Sequence, residues 1–330
     1  MELREFGPDD AGAVQTFVDI DNAGHVDAPW QHPATACRRE MIMRYGWDGD
    51  LDPHYLAYDG GRAVGVLTVS TSSYDNPELA WLGLGVHPDH RRLGHGTTML
   101  AAATWVCQEL GRPLIGVEGW ESERTRGFAA ATGFEQRSVS IHRRQHLREL
   151  PEGLIGGLCE EAGKEAGDYE LVRLSGYSPH AVLDELVEIT AAINDAPLDD
   201  LEIEDEVFSP QRIHAYERAQ IEGGFRLYRV LARNCSTGEL AGHTVVTVAS
   251  EAPTIGDQHD TAVVRAHRGH RLGLLLKADL VRWLVGPGGL EPQLATIDTW
   301  NAESNDHMVG INERLGYRTM GRNLEFQRRV

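Results

Sequence analysis

Two short segments place arginine and glycine where a polypeptide can hold an anion. Residues 91–96 read RRLGHG and residues 268–273 read RGHRLG. Each follows an apolar stretch that runs to a valine, Val86 or Val263, and each leads into an amphipathic run. A strand feeding a turn from which a helix departs aims several free amides, and the positive end of the helix dipole, at one point. Gly94 and Gly96 let the backbone approach closely, while Arg91 and Arg92 add charge. The chemistry implied is phosphate binding by main chain. Glycine at a helix entry also serves plain backbone geometry, so the wider pattern must decide.

That pattern is a duplication. GVHPDHRRLGHG at 85–96 superposes on AVVRAHRGHRLG at 262–273 at an offset of 177 residues, and the same offset carries RAVGVLTVS at 62–70 onto ELAGHTVVT at 239–247. ATGF at 131–134 pairs with RLGY at 314–317 at an offset of 183, and AVQTFVDI pairs with AVLDELVEI at about 169. Each copy reads as a short strand (Leu3–Phe6; Tyr169–Leu174), an amphipathic helix (Asp9–Ile20; Pro179–Ile193) and a long polar loop region. Two strands joined by a turn follow (Tyr55–Asp59 and Arg62–Ser70; Phe225–Arg233 and Leu240–Ala249), then the strand entering the glycine loop. A helix (Thr97–Leu110; Leu274–Val285), an apolar strand (Pro113–Gly119; Gln293–Trp300), a short helix and a last strand close the copy. The expectation is a mixed α/β (α+β) protein of two tandem domains, residues 1–149 and 169–330, each a central, largely antiparallel sheet with helices on both faces. Residues 150–168, with five glycines and one proline, read as a linker or frayed helix.

Length and composition agree. The 330 residues exceed what one core usually serves, and 41% hydrophobic with 25% charged residues is globular. Fifty Asp and Glu against 31 Lys and Arg leave a net charge of −19, which repels nucleic acid and anionic membranes. No long apolar run and no basic-then-apolar leader is present, so a cytoplasmic protein is expected. Cys37, Cys107, Cys159 and Cys235 stand too far apart for a disulfide framework or metal pairs.

RRLGHG fits the R/Q-x-x-G-x-G/A signature of the GNAT superfamily of N-acetyltransferases, and the chain resembles two consecutive modules of that family, an arrangement similar to that of the mycothiol synthases. The second loop keeps Arg268 and Gly273 but has Arg271 at a glycine position. The resemblance implies acetyl-CoA as co-substrate, with its diphosphate held by Arg91, Arg92, Leu93, Gly94, His95, Gly96 and Thr97 in one module. In the other the same work falls to Arg268, Gly269, His270, Arg271, Leu272, Gly273 and Leu274. It implies that Val86 and Val263 offer a main-chain amide to the acetyl carbonyl, stabilising the oxyanion that forms as an amine attacks. The family's N-x-x-A-x-x-L-Y-x-x-x-G-F segment is matched in spacing by Asn305–Tyr317, with Asn301 and Asn305 as amide contacts and Asn312 in the place of the acidic tyrosine. In the first copy Ser122 and Ala129 stand at the Asn and Tyr positions. Asn and Ser before a short helix also read as N-caps.

A protonated amine needs a base. The family's glutamate position is Ala80 in the first copy and Asp257 in the second, with His259 and Asp260 nearby and Glu78 the nearest acid in the first. Any of these could instead be a solvated loop residue. His87, His90, His95, His267 and His270 bring no second ligand set, and no metal is expected. DAPLDDLEIEDE at 195–206 has seven acids in twelve residues, so Asp199, Asp200, Glu202 and Asp205 read as either an acceptor wall for a cationic amine or a solvated acidic loop. Trp30, Tyr45, Trp47 and Tyr55 floor a pocket or form a minor core.

The expectation is acetyl transfer to a primary amine of a small molecule, with no nucleic-acid or membrane partner. The second module is favoured for catalysis by Asn301, Asn305 and its acidic approach, and the first has the fuller phosphate loop. Acetylation of a protein amine and acyl-CoA binding without turnover are the rival readings.

Overall fold

The computed structural model describes residues 1–330, which divide into two compact units. In the first, β1 (Glu2–Phe6) leads to α1 (Ala11–Gly24), capped by the Asp10 carboxylate accepting from the Ala13 amide at 3.0 Å. α2 (Ala36–Tyr45) precedes β2 (His54–Asp59), β3 (Arg62–Ser70) and β4 (Leu79–Val86), and then come α3 (His95–Glu109), β5 (Leu114–Trp120), α4 (Glu123–Ala131) and β6 (Glu135–His146). The second unit repeats the order with α5 (Leu154–Glu165), β7 (Tyr169–Ser175), α6 (Leu183–Ala191), α7 (Pro210–Glu222), β8 (Phe225–Asn234), β9 (Leu240–Ala249) and β10 (Ile255–Val263). It ends in α8 (Leu272–Val285), β11 (Thr296–Ala302), α9 (Asp306–Arg314) and β12 (Tyr317–Arg329). This is the mixed α/β architecture expected.

Within the first unit the strands run β1-β2-β3-β4-β5-β12, antiparallel except for β4 beside β5; within the second they run β6-β11-β10-β9-β8-β7, with β10 beside β11 parallel. One face of the first sheet packs on α3 through Met99, Leu100, Ala103 and Cys107 against Ala80, Leu82 and Ile115. The other packs on α1 through Phe17 and Ile20 against Leu56 and Val66. The second unit repeats this with α5 and α8 on one face and α6 and α7 on the other.

Three departures from the sequence expectation have physical causes. The stretch read as a linker or frayed helix is a helix, α5, packed rather than frayed: Leu158, Cys159 and Ala162 are buried in the second core, because its apolar residues recur at helical spacing despite the glycines. The long polar regions contain α2 and α7. Their inner faces are poor in apolar residues: α2 buries only Met43, and α7 buries Arg212, Glu217 and Gln220, so hydrophobic periodicity could not reveal them. Their caps were legible, since Thr35 and Ser209 accept from the amides of Arg38 and Arg212.

The units also do not follow the division at residues 149 and 169. The first comprises Met1–Ser140, Leu198–Asp205 and Gly321–Val330; the second comprises Ile141–Pro197 and Glu206–Met320. The reason is strand pairing. The chain's last strand lies antiparallel to β5 in the first unit, from Asn323 opposite Trp120 to Arg329 opposite Leu114, and places Leu324 and Phe326 in that core. Phe326→Ala should therefore destabilise the first unit, although it lies at the far end of the chain. The expected loss is about 3–5 kcal/mol in chemical unfolding. A loss under about 1 kcal/mol, the level of a surface change, would remove β12 from that core.

Candidate active site

Each glycine loop is built on the gap where its two parallel strands part. β4 and β5 pair only from Leu79 opposite Leu114 to Leu82 opposite Val117, and β10 and β11 only from Ile255 opposite Thr296 to Asp257 opposite Asp298. Beyond those pairs β4 and β10 stay bonded on their other side. The His87 amide donates to the Val64 carbonyl and the Val264 amide to the Ala241 carbonyl, both at 2.9 Å. Amides alternate in direction along a strand, so those of Val86 and Val263 face the gap. Gly65 and Gly242 lie opposite these valines. A Cβ on either would come within 2.8 Å or less of the carbonyl of Gly85 or Ala262.

The loop arginines serve the backbone first. Arg91 Nε donates to the Val86 carbonyl and Arg268 Nε to the Val263 carbonyl, each at 3.0 Å. Their other nitrogens reach Asp27 at 2.8 Å and Asp195 at 2.6 Å. These two side chains, expected as phosphate ligands, each tie the loop to the valine carbonyl and to an aspartate.

The two loops reach one backbone shape with exchanged residues. Arg92 and Gly269 occupy the first left-handed position, with φ of 65° and 90°. Gly94 and Arg271 occupy the second, with φ of 85° and 54°, and each N-caps the following helix without a side-chain bond. Arg271 thus preserves the conformation that glycine was expected to be needed for, at a strain of about 1–2 kcal/mol. Its guanidinium pairs with Glu161, which also accepts from Arg314 at 2.6 Å. Gly96 and Gly273 have another purpose: a Cβ would lie 3.3 Å from the Phe128 ring and 3.2 Å from Ile311 Cδ1, so glycine lets α3 rest on α4 and α8 on α9. The helix-start amides His95–Thr97 and Leu272–Leu274 lack an intrahelical acceptor, as in any first turn. Leu272 and Leu274 contribute main chain only, since their side chains are in the core. Leu93 and Arg92 are exposed, as are Gly269 and Thr97, and His95 and His270 are half-buried. This cradle fits a diphosphate. No group of three or more His, Cys, Asp or Glu stands at metal-binding spacing, and no helix is long and apolar enough to cross a membrane.

The second module's other candidates are largely committed to the fold. Asn305 caps α9 by accepting from the Met308 amide at 3.1 Å, as Ser122 caps α4. Asn312, at the tyrosine position, is fully buried. It accepts from Lys277 Nζ at 2.7 Å and donates to Asn301 Oδ1 at 2.6 Å. Desolvation pushes the Lys277 ammonium down to about 7. His259 has both ring nitrogens engaged, with Tyr216 Oη at 2.5 Å and Thr247 Oγ1 at 3.1 Å. It lies with Asp260 in a bulge between Gln258 and Thr261 that absorbs one residue more than β4 has. Desolvation raises the pKa of Asp260, against the pull of Arg229. Asp257 is the last residue before the strands part. Opposite it, Asp298 accepts from Arg144 at 2.6 and 2.7 Å and contacts His142 at 3.1 Å; burial opposes ionisation, but the Arg144 guanidinium and the His142 contact hold its carboxyl down to about 2.

The acidic segment lies elsewhere than expected. Residues 198–205 belong to the first unit, not the second. Glu202 pairs with Arg329 at 2.8 Å, Asp199 accepts from Ser138 at 2.7 Å, and the Asp200 amide donates to the Arg137 carbonyl. Asp205 is exposed. Arginines near the ends of β6 and β12 supply the attraction that draws these acids in. Glu78 likewise bonds Arg329, at 2.9 Å.

Sequence reasoning missed Glu118, which immediately follows the last pair of β4 with β5. Ile115 and Val117 face α3, so Glu118 lies on the opposite face with Gly116, where the Trp81 ring leaves no room for a Cβ. β12 brings Glu325 directly opposite it. Glu118 is exposed, yet desolvation by the protein atoms around it, then repulsion from Glu325, push its carboxyl up to about 7, against a hydrogen bond from Asn323. Burial also raises Glu325, which bonds Ser138 and feels Asp199. Only the β5–β12 pairing, two hundred residues distant in sequence, makes this cluster. Trp300 occupies the equivalent register position in the second module, stacked on His142 at 4.4 Å.

Residues 19–134 match the acetyltransferase (GNAT) family. A tandem GNAT protein from the clavulanic acid biosynthesis pathway superposes with a TM-score of 0.79 over 99% of this chain and 98% of its own, at 22% identity. The family match is confined to residues 19–134, and the fold of the whole chain is that of a tandem GNAT protein. A GCN5-related N-acetyltransferase from Sphaerobacter thermophilus is similar over 99% of this chain and 95% of its own, at 16% identity and a TM-score of 0.67. A glucosamine N-acetyltransferase region of a fungal multi-domain β-N-acetylglucosaminidase is similar over 98% of this chain and 38% of its own, at 15% identity and a TM-score of 0.69. No curated protein matches the chain by sequence. Both glycine loops recur within this fold, and the family match over residues 19–134 implies an acyl-CoA donor for the module that contains them.

If both loops are phosphate cradles, calorimetry with acetyl-CoA should give two sites per chain. Gly94→Asp, which brings a carboxylate to the first cradle, and Gly273→Asp, which does so at the second, should each leave one. An undiminished stoichiometry in either variant would show that its loop is not a binding site.

Proposed function

We propose that the first module transfers acetyl from acetyl-CoA directly to a primary amine of a small cationic molecule, with Glu118 as the general base. The observation that carries this reading is the position of Glu118, first beyond the parting of β4 and β5 and on the face opposite α3. A donor seated on the α3 side and an acceptor on the Glu118 side would meet in the gap.

Bound acetyl-CoA would supply an activated acyl carbon. The residues of the chain do the rest. Amides of the 92–97 loop and the start of α3 hold the diphosphate, and the Val86 amide is placed to receive the thioester carbonyl, an interaction worth a few kcal/mol where water is excluded, roughly 3. Glu118 takes the proton of the incoming ammonium; the neutral amine then forms the C–N bond as the C–S bond breaks, and the second proton lost from nitrogen goes to the departing thiolate. A carboxyl near neutrality is a far better partner for an amine than one ionising near 4, because the proton-transfer gap is smaller while half the base form is present at pH 7. Glu325 and Asp199 keep that side negative, and Trp30, stacked edge-on against Trp120 at 5.3 Å, supplies aromatic surface. These features favour a cationic acceptor. The second module has Trp300 rather than a carboxylate at this position, which supports acyl-CoA binding there without turnover.

For the wild type, kcat/KM should rise with pH through about 7 as Glu118 loses its proton. Glu118→Gln should lower kcat by about 10²–10⁴-fold and abolish that rise. A panel of small amines and peptides identifies the acceptor class. An unchanged pH profile in Glu118→Gln would reject the base, and turnover of peptides alone would reject the small-molecule acceptor.

A further inference from the structure

A buried polar chain crosses the α8 side of the second module and has no counterpart in the first. Lys277 on α8 is 1% exposed. Its Nζ donates to Asn312 of α9, and Asn312 donates in turn to Asn301, half-buried near the end of β11. The Tyr317 ring of β12 lies 5.1 Å from Nζ. Asn301 is three residues past the last parallel pair, on the face that Ile297 presents to the α8 core, and so borders the gap where the strands part. The matching residues of the first module are Leu100, Ala129 and Gly119.

We propose that Lys277 is a positioning residue, acting through Asn312 to hold Asn301 with its amide nitrogen toward the cofactor groove, where Asn301 donates to a pantetheine carbonyl of bound acyl-CoA. The inference rests on the reading that the second loop holds the diphosphate. It follows from the inventory of donors and acceptors. In its protonated form, which prevails below about pH 7, Lys277 only donates, so it claims Asn312 Oδ1; Asn312 is left its nitrogen, which claims Asn301 Oδ1; Asn301 is left its nitrogen as a free donor. The polarity of both amides is thereby fixed from the buried end. Stability alone does not ask for this arrangement. Burying a lysine with one hydrogen-bond partner is costly, whereas leucine fills the corresponding place in the first module without that cost.

Asn312→Asp tests the polarity while keeping the packing. The carboxylate still accepts from Lys277 but can no longer donate, so Asn301 must turn, donate inward and present its oxygen to the groove. In a Gly94→Asp background, where only the second loop binds, calorimetry would compare acetyl-CoA with 3′-phosphoadenosine 5′-diphosphate, the same head without the pantetheine arm. Asn312→Asp and Asn301→Ala should each weaken acetyl-CoA about tenfold, no further when combined, and leave the armless nucleotide unaffected. Equal affinity for acetyl-CoA in Asn312→Asp, or equal weakening of both ligands, would overturn the role of Lys277. Absence of nucleotide binding in the Gly94→Asp protein itself would instead overturn the reading of the second loop.

Discussion

The site depends on two parallel strands that pair briefly and then separate. A sheet normally uses every backbone donor, and an unpaired one inside a protein is costly. Here β4 keeps its bonds to β3 as far as Val64 and His87 while releasing β5 after Leu82, so the Val86 amide has no strand to serve. The helix that follows adds the free amides of its first turn. The free amides of Val86 and of the first turn of α3, His95–Thr97, are a deficit that a ligand rich in acceptors can fill, and a thioester joined to a diphosphate has acceptors for both.

The comparison of the two copies separates what the backbone demands from what side chains add. Both loops are tied by an arginine Nε to the valine carbonyl at 3.0 Å, and both need two left-handed residues. Which of those two is glycine has been exchanged, with Arg92 then Gly94 in one and Gly269 then Arg271 in the other. An arginine tolerates φ near 60° at modest strain, so backbone shape persists where the glycine signature fails. Gly96 and Gly273 have no such freedom, because the space a Cβ needs is taken by Phe128 and Ile311.

Much of this was legible in the sequence, and the limits were physical. Strands such as Arg62–Ser70 and Leu240–Ala249 were placed to the residue because alternation and apolar runs are local signals. The duplication predicted which turn would bear the loop. Helices α2 and α7 escaped notice because they bury polar groups, Arg212 and Glu217 among them, which carry no hydrophobic period. Glu118 escaped for a different reason. Nothing local distinguishes GVEGW at 116–120 from any strand, and its carboxyl is perturbed by desolvation and then by Glu325, which the last strand of the chain delivers to the opposite position.

That long-range pairing bears on how the two modules came to differ. Once the frame is fixed by main chain, the positions around the gap are free to change without loss of fold. Three of them have changed together on the α8 side, from Leu100, Ala129 and Gly119 to Lys277, Asn312 and Asn301, and the replacements bond one another in sequence. On the other side Glu118 is matched by Trp300, which stacks on His142 instead of facing a second carboxylate. On the proposed reading the first copy carries the proton transfer and the second only binds, and a groove that only binds gains from fixed donors and has no use for a titrating acid.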